Sequence, residues 1–112
     1  MCEFSVYDVN DPSKKIAEDI VRATIRDGSL VASKVLGESL ALDNTIILDV
    51  DVSRERMLVS RSPLVKNIFK LTELTSDFKK NPSIKLQSEI SVLWEQTKSE
   101  GDSLMKSMKI KK

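Results

Sequence analysis

The sequence predicts an α+β fold: a small antiparallel β-barrel or sandwich followed by a C-terminal helical hairpin. Three observations carry this prediction. Apolar and polar residues alternate through about the first sixty positions, the period of a half-buried strand. Turn-forming pairs cut that alternation into about six short runs, the spacing of a small all-β unit. After Ser62-Pro63 the apolar period lengthens to three and four residues, which is helical.

The first run places Cys2, Phe4 and Val6 on one face and Glu3, Ser5 and Tyr7 on the other. Asn10-Asp11-Pro12-Ser13 follows and reads as a turn, because Pro fixes φ and the short polar side chains bond their own backbone. Between Ile16 and Arg26, Val21, Ala23 and Ile25 alternate with Ile20, Arg22, Thr24 and Arg26, although Ile16, Ile20 and Ala23 also fit a helical stripe. Asp27-Gly28 favours the strand reading, since this pair tolerates positive φ and is a strong hairpin signal. Leu30 to Val35 is then the return strand, and Leu36-Gly37-Glu38 punctuates the chain again. Leu40 and Leu42 lead to a further turn at Asp43-Asn44. From Thr45 to Val52 the pattern is clearest, with Ile46, Leu48, Val50 and Val52 on one face and Ile47, Asp49 and Asp51 on the other. Ser53 to Arg56 connects to a last strand, Met57 to Ser60.

Helical spacing begins with Pro63, which is tolerated in a first turn. Leu64, Val65, Ile68, Leu71 and Leu74 recur with Phe69 and Phe78 beside them, so a helix is expected over about Pro63 to Phe78. Asn81-Pro82-Ser83 breaks it. Ile84 or Leu86, then Ile90, Leu93, Trp94 and Thr97 form a second stripe from about Pro82 to Lys98. Gly101 is expected to loosen this helix, with Leu104, Met105 and Met108 continuing the stripe beyond it. The chain thus divides into a β domain at 1–61 and a helical extension at 62–112. The hairpin is expected either to pack across the open end of the barrel or to pair with the same hairpin of a second chain. Leu93, Trp94, Leu104, Met105 and Met108 are the candidate interface residues, because aromatic and Met side chains are enriched where chains meet.

Composition narrows the chemistry. The 112 residues include one cysteine and no histidine. One Cys has no disulfide partner within the chain, and the lack of imidazole removes His-based triads and most structural zinc sites. No apolar run is long enough to span a membrane and no signal-peptide pattern opens the chain, so a cytoplasmic protein is expected. Charge is uneven: residues 1–60 hold 7 basic and 11 acidic side chains, and residues 61–112 hold 11 basic and 6 acidic. Asp49 and Asp51 share an outward strand face, but one pair supplies too few oxygens for a calcium cage. Gly28 and Gly37 are isolated in turns and form no phosphate loop. No enzyme is expected.

Cys2 is the single soft ligand. The α-amine of Met1, the backbone amide and the Cys2 thiolate lie within two residues and can close adjacent chelate rings. Planar N/S donors of this kind suit Ni(II) or Cu(II). Two chains meeting on a two-fold axis would bring two such thiolates to one ion. The alternative is a Cys2 buried as a small hydrophobe beside Phe4 and Val6.

Met1-Cys2-Glu3-Phe4-Ser5-Val6-Tyr7, Ile16-Ala17-Glu18-Asp19-Ile20-Val21, Leu36-Gly37-Glu38 and Ile46-Ile47-Leu48-Asp49-Val50-Asp51 occur in the order and spacing of the CooT family. The chain resembles these small proteins over about residues 1–61. The resemblance implies a compact β fold, a homodimer and Cys2 as the ligand of Ni(II), in a carrier or sensor. Relatives of that family have also been labelled predicted RNA-binding proteins. The helical extension of about fifty residues departs from the family type, and an added hairpin of that size stands either to cover the Cys2 edge or to bind something else. In the RNA-binding alternative, Lys79, Lys80, Lys85, Lys106 and Lys109 would carry the phosphate contacts, with binding that weakens steeply in salt. A third possibility is a protein-interaction module whose hairpin is the partner surface.

Overall fold

The computed structural model describes residues 3–108. Among these, six strands form one curled sheet and two helices follow: β1 (Phe4–Asp8), β2 (Asp11–Arg26), β3 (Ser29–Lys34), β4 (Ser39–Leu42), β5 (Thr45–Asp51), β6 (Arg56–Arg61), α1 (Val65–Lys80) and α2 (Ile84–Ser107). The strand order is β4-β3-β2-β1-β6-β5. A barrel-like sheet ahead of a helical hairpin is the architecture the sequence predicted. The sheet is mixed, because β1 and β6 run parallel, with Val6 beside Met57 and Tyr7 beside Leu58, while the other pairs are antiparallel.

The curl has a local cause in β2. This strand of 16 residues pairs first with β1 and then with β3. Between the two stretches Asp19 adopts a positive φ of 60° and the ladder slips between Ile20 and Arg22. Bulges bend a strand and increase its twist, so the two halves of the sheet fold toward each other. Asp43-Asn44 joins β4, one edge of the sheet, to β5, the other. A link of two residues holds those edges within about 11 Å at that end, given about 3.8 Å per residue step. It is therefore a corner between edges rather than a hairpin.

The Asp27-Gly28 hairpin forms as expected. Both residues have positive φ, 52° and 78°, and Arg26 pairs with Ser29 across them. A Cβ on Gly28 would sit 2.8 Å from Lys66 Cγ and 3.0 Å from the Lys66 carbonyl oxygen, so close approach as well as φ requires glycine here. The turn read at Asn10 to Ser13 begins earlier. Val9 and Asn10 make the reversal, Asp8 pairs with Asp11, and the Asn10 N–H donates to Asp8 Oδ1 at 2.9 Å. Pro12 and Ser13 lie within β2, where a register irregularity between Tyr7 and Asp8 interrupts the ladder that Pro12 cannot join.

Val6, Ile20, Leu30, Ala32, Leu42, Met57 and Val59 form the buried core, with Phe4, Ile16, Ala17, Ala23 and Ile47 packed against it. Full burial of such side chains stabilises the fold by about 1.5–3 kcal/mol each. The face assigned to β5 needs correction. Ile47 pairs with Val59 and faces the core, whereas Ile46 pairs with Ser60 and faces out. A slip between Ile47 and Asp49 leaves Leu48 out of register and then returns Val50 to the side of Met57. Asp49 and Asp51 face outward beside Leu58 and Arg56 as expected, but Val50 and Val52 of the expected inward row stay 50% and 60% exposed, and before the bulge the alternation is inverted.

The helices make an antiparallel pair. Asn67 Nδ2 donates to Glu100 Oε2 at 2.8 Å at one end, and Phe78 lines a depression with Ile90 at the other. The α1 seam is Asn67, Leu71, Leu74 and Phe78; the α2 seam is Leu86, Ile90, Leu93, Thr97, Glu100 and Leu104, each row at three- and four-residue spacing. Gly101 does not loosen α2, which runs unbroken to Ser107. One glycine costs a helix about 1 kcal/mol, and the flanking turns outweigh that. Ser83 caps α2 by accepting the Leu86 N–H at 3.0 Å. Among the described residues no helix is long and apolar enough to cross a membrane.

Packing between helices and sheet is confined mainly to α1 against β5. The Lys66 N–H donates to Asn44 Oδ1 at 3.1 Å and the Ser62 N–H to the Asn44 carbonyl at 3.0 Å. The radius of gyration is 16.9 Å, against about 13 Å for a compact domain near this length. The hairpin therefore projects from the sheet instead of lying across it.

Candidate functional site

Met1 and Cys2, the expected metal ligands, lie outside the described residues. The structure does fix where the chain enters the sheet. Glu3 donates its backbone N–H to Glu55 Oε2 at 3.3 Å, and the Ser5 N–H donates to the Glu55 carbonyl at 2.9 Å. Phe4 pairs with Ile20 and packs on the core. The first described residues are thus tied to β2 on one side and to the β5–β6 turn on the other. That turn is tight: Glu55 has a φ of 52° and its N–H donates to the Val52 carbonyl at 3.2 Å.

A cleft opens beside this entry point, lined by Glu3, Asp19, Lys34, Val35, Leu36 and Glu38. A second cleft shares Lys34 and Glu38 and reaches Ala17, Ile20, Ala32 and Leu40. The turn between β3 and β4 shapes both. Its Gly37 has a φ of 92°, the Gly37 N–H donates to the Lys34 carbonyl at 3.0 Å, and the Lys34 N–H donates to the Glu38 carbonyl at 2.8 Å. Apolar side chains around this end stand in solvent: Leu36 is 87% exposed, Val52 60% and Val35 51%. The helices leave from the opposite end of the strands, where Gly28, Asn44 and Ser62 gather. Among the described residues the extension does not cover the end of the sheet that Glu3 enters.

Glu3, Asp19, Glu38 and Glu55 give this end an acidic character, but among the described residues no group of three His, Cys, Asp or Glu is arranged to hold a metal ion. Asp51 is engaged locally. Ser53 Oγ donates to it at 2.8 Å, the Arg54 N–H at 3.2 Å, and the Arg54 side chain approaches at 3.7 Å. The Ser53 hydroxyl, then the Arg54 amide, hold its carboxyl below the ordinary range. On the same outward surface the Arg56 guanidinium lies 4.6 Å over the Tyr7 ring, while its buried Nε has no hydrogen-bond partner among the described residues. Sequence reasoning did not find this pair. Its only signal was two outward positions, Tyr7 and Arg56, on strands whose parallel adjacency the sequence does not display.

The basic candidates do not form one patch. Lys79, Lys80 and Lys85 surround the turn between the helices, all exposed. Lys106 lies 21 residues along α2 from Lys85, about 31 Å at 1.5 Å per residue. Lys109 falls outside the described residues. The interface candidates also divide: Leu93 and Leu104 lie in the seam against α1, whereas Trp94, Met105 and Met108 are 49%, 57% and 61% exposed.

No protein-family model matches the chain, and no curated protein matches it significantly.

Proposed function

We propose that the chain is a non-catalytic nickel-binding protein of the CooT type, a homodimeric carrier or sensor. The Cys2 thiolate is the ligand, and nitrogen atoms of Met1 and Cys2 complete the donor set. The resemblance over residues 1–61 supplies the choice of metal. The observation that carries the proposal is the placement of Glu3, the residue after Cys2. It is anchored at a sheet end that the helices leave uncovered and that exposed Val35, Leu36 and Val52 surround. The thiolate form ties affinity to pH and to a reducing compartment such as the cytoplasm.

The residues of this chain then have separable tasks. Cys2 and the N-terminal nitrogens bind the ion, the Glu55 contacts position the segment, and the neighbouring carboxylates favour a cation electrostatically without ligating it. Ni(II) supplies no reaction; the ion is cargo or signal. Calorimetric titration of Ni(II) into reduced protein is expected to give one ion per two chains, with binding lost in Cys2→Ala. Equal affinity in Cys2→Ala would remove the assignment.

A further inference from the structure

The hairpin has two unlike faces, and the difference is legible in its register. One residue back from each seam lie Lys66, Lys70, Glu73 and Asp77 on α1, and Lys85, Glu89, Val92 and Gln96 on α2, a mainly charged surface on which Val92, 57% exposed, is the apolar exception. One residue onward lie Ile68, Thr72, Thr75 and Lys79 on α1, and Ser91, Trp94, Lys98, Gly101 and Met105 on α2. Because the helices are antiparallel, the onward step turns both rows to the same side. The depression lined by Thr75, Lys79 and Gln87 together with seam residues Phe78 and Ile90 joins the two rows across the hairpin. The rows themselves hold no carboxylate, though Lys98 pairs with Glu95 at their border at 2.9 Å and lies 6.0 Å over the Trp94 ring, and Ile68, Trp94 and Met105 are 46%, 49% and 57% exposed.

Neither helix buries an apolar side chain; Thr97 alone is buried. A helical hairpin that projects from its sheet with no third layer lacks the packing that normally stabilises helices. We propose that the onward face binds the same face of a second copy, giving an antiparallel four-helix bundle in which α1 of each copy lies on α2 of the other. The inference rests on the two-copy part of the reading above and not on the metal.

Size and shape both favour a second copy. Helix α1 has 16 residues, about 24 Å, and two helices side by side are about 20 Å wide. Two such faces bury on the order of 1,000 Å² together, the threshold of a specific interface. The Asn67–Glu100 contact sets Ile68 level with Lys98 and Gly101, and Trp94 level with Thr72 and Thr75. At each level one helix carries a large side chain and the other small or flexible ones. A two-fold axis running along the hairpin, between the layers, exchanges α1 and α2 while keeping the levels. Ile68 then meets Gly101 of the second copy, where a Cβ would find nothing within 4 Å in the single chain. Trp94 meets Thr72 and Thr75. Neighbouring helices are antiparallel throughout, as in other bundles, and both sheets lie at one end.

The test is the native mass of the Cys2→Ala chain at about 100 μM with a chelator present, which excludes metal-bridged pairing. A dimer is expected, with Trp94 emission moving to shorter wavelength as concentration rises. Gly101→Leu is the decisive variant. It adds helix propensity to α2 at a position where a Cβ meets nothing within 4 Å in the single chain, yet fills the seat of Ile68, so dimer affinity should fall about 100-fold while helical content is kept. Ile68→Asp should do the same and Lys70→Ala should not. A monomeric parent chain, or a Gly101→Leu chain that dimerises as tightly as the parent, overturns the proposal. Loss of nickel binding with the dimer intact would fault the metal reading alone.

Discussion

The sheet and the hairpin solve the same problem with different success. The curled sheet brings Val6, Ile20, Leu30, Ala32, Leu42, Met57 and Val59 out of water within one chain. The hairpin, with comparable apolar content along its seams, leaves those residues half-buried. The difference is one of layers. A sheet that folds on itself encloses its own inner face, whereas two helices side by side enclose only a line of contact. Near neutrality of exposed charge on one hairpin face and absence of carboxylates on the other then mark which side is built for water.

The largest effect that sharpens this comparison comes from paired truncations. Ile20→Ala removes a side chain that is 1% exposed at the bend of β2, and should cost about 3 kcal/mol, including the cavity left behind. Leu74→Ala, in the half-buried seam of α1, should cost about 1 kcal/mol in the single chain. Urea unfolding of both variants measures the ratio. Equal costs would mean that the hairpin already holds a core of its own and would break the comparison.

Gly28→Ala probes the end where the two regions touch. The left-handed φ costs an L-residue about 1–2 kcal/mol, and the added Cβ must displace Lys66 at the start of α1. A loss of about 2 kcal/mol in the urea midpoint is expected, with the α1 amide of Lys66 exchanging faster as its bond to Asn44 loosens. A variant with unchanged Lys66 exchange would separate the hairpin from the sheet more fully than the contacts at Asn44 imply.

Much of this was legible in the sequence because it depends on local rules. Asp27-Gly28 dictates its hairpin through φ, and the change of period after Ser62 dictates helices. What was not legible depends on pairings between distant residues. Nothing near Tyr7 announces that β6 will lie parallel beside it, and a single slipped residue at Leu48 reverses the face of Ile46 and Ile47. Gly101 shows the converse error: a local penalty was weighed without the turns on either side that outweigh it. For the candidate site, the lysines share a helix but not a patch, since position along α2 separates Lys85 from Lys106. The exposed position of Trp94 one residue beyond the seam became visible only when the Asn67–Glu100 register fixed which way each row faces.

The smallest expected effect concerns the exposed turn after β5, where sheet chemistry meets solvent. The Asp51 carboxyl is held low first by the Ser53 hydroxyl, then by the Arg54 amide, with the Arg54 charge adding less. A carboxyl whose folded pKa is depressed contributes stability above its unfolded pKa, and that contribution disappears as pH falls through the folded value. Ser53→Ala removes the leading cause, so the Asp51 titration followed by carbon-detected NMR should move up toward the ordinary carboxylate range. The Arg54 amide and charge should keep it from returning fully. Because the group is exposed, the change in global stability should be slight and confined to the acid limb of the pH profile. An unmoved Asp51 titration would show that the Arg54 amide, and not the hydroxyl, sets the charge at the end of β5. Since β5 is an unpaired sheet edge, the distinction bears on its exposed backbone. A carboxylate kept charged by its own turn discourages edge-to-edge pairing along β5.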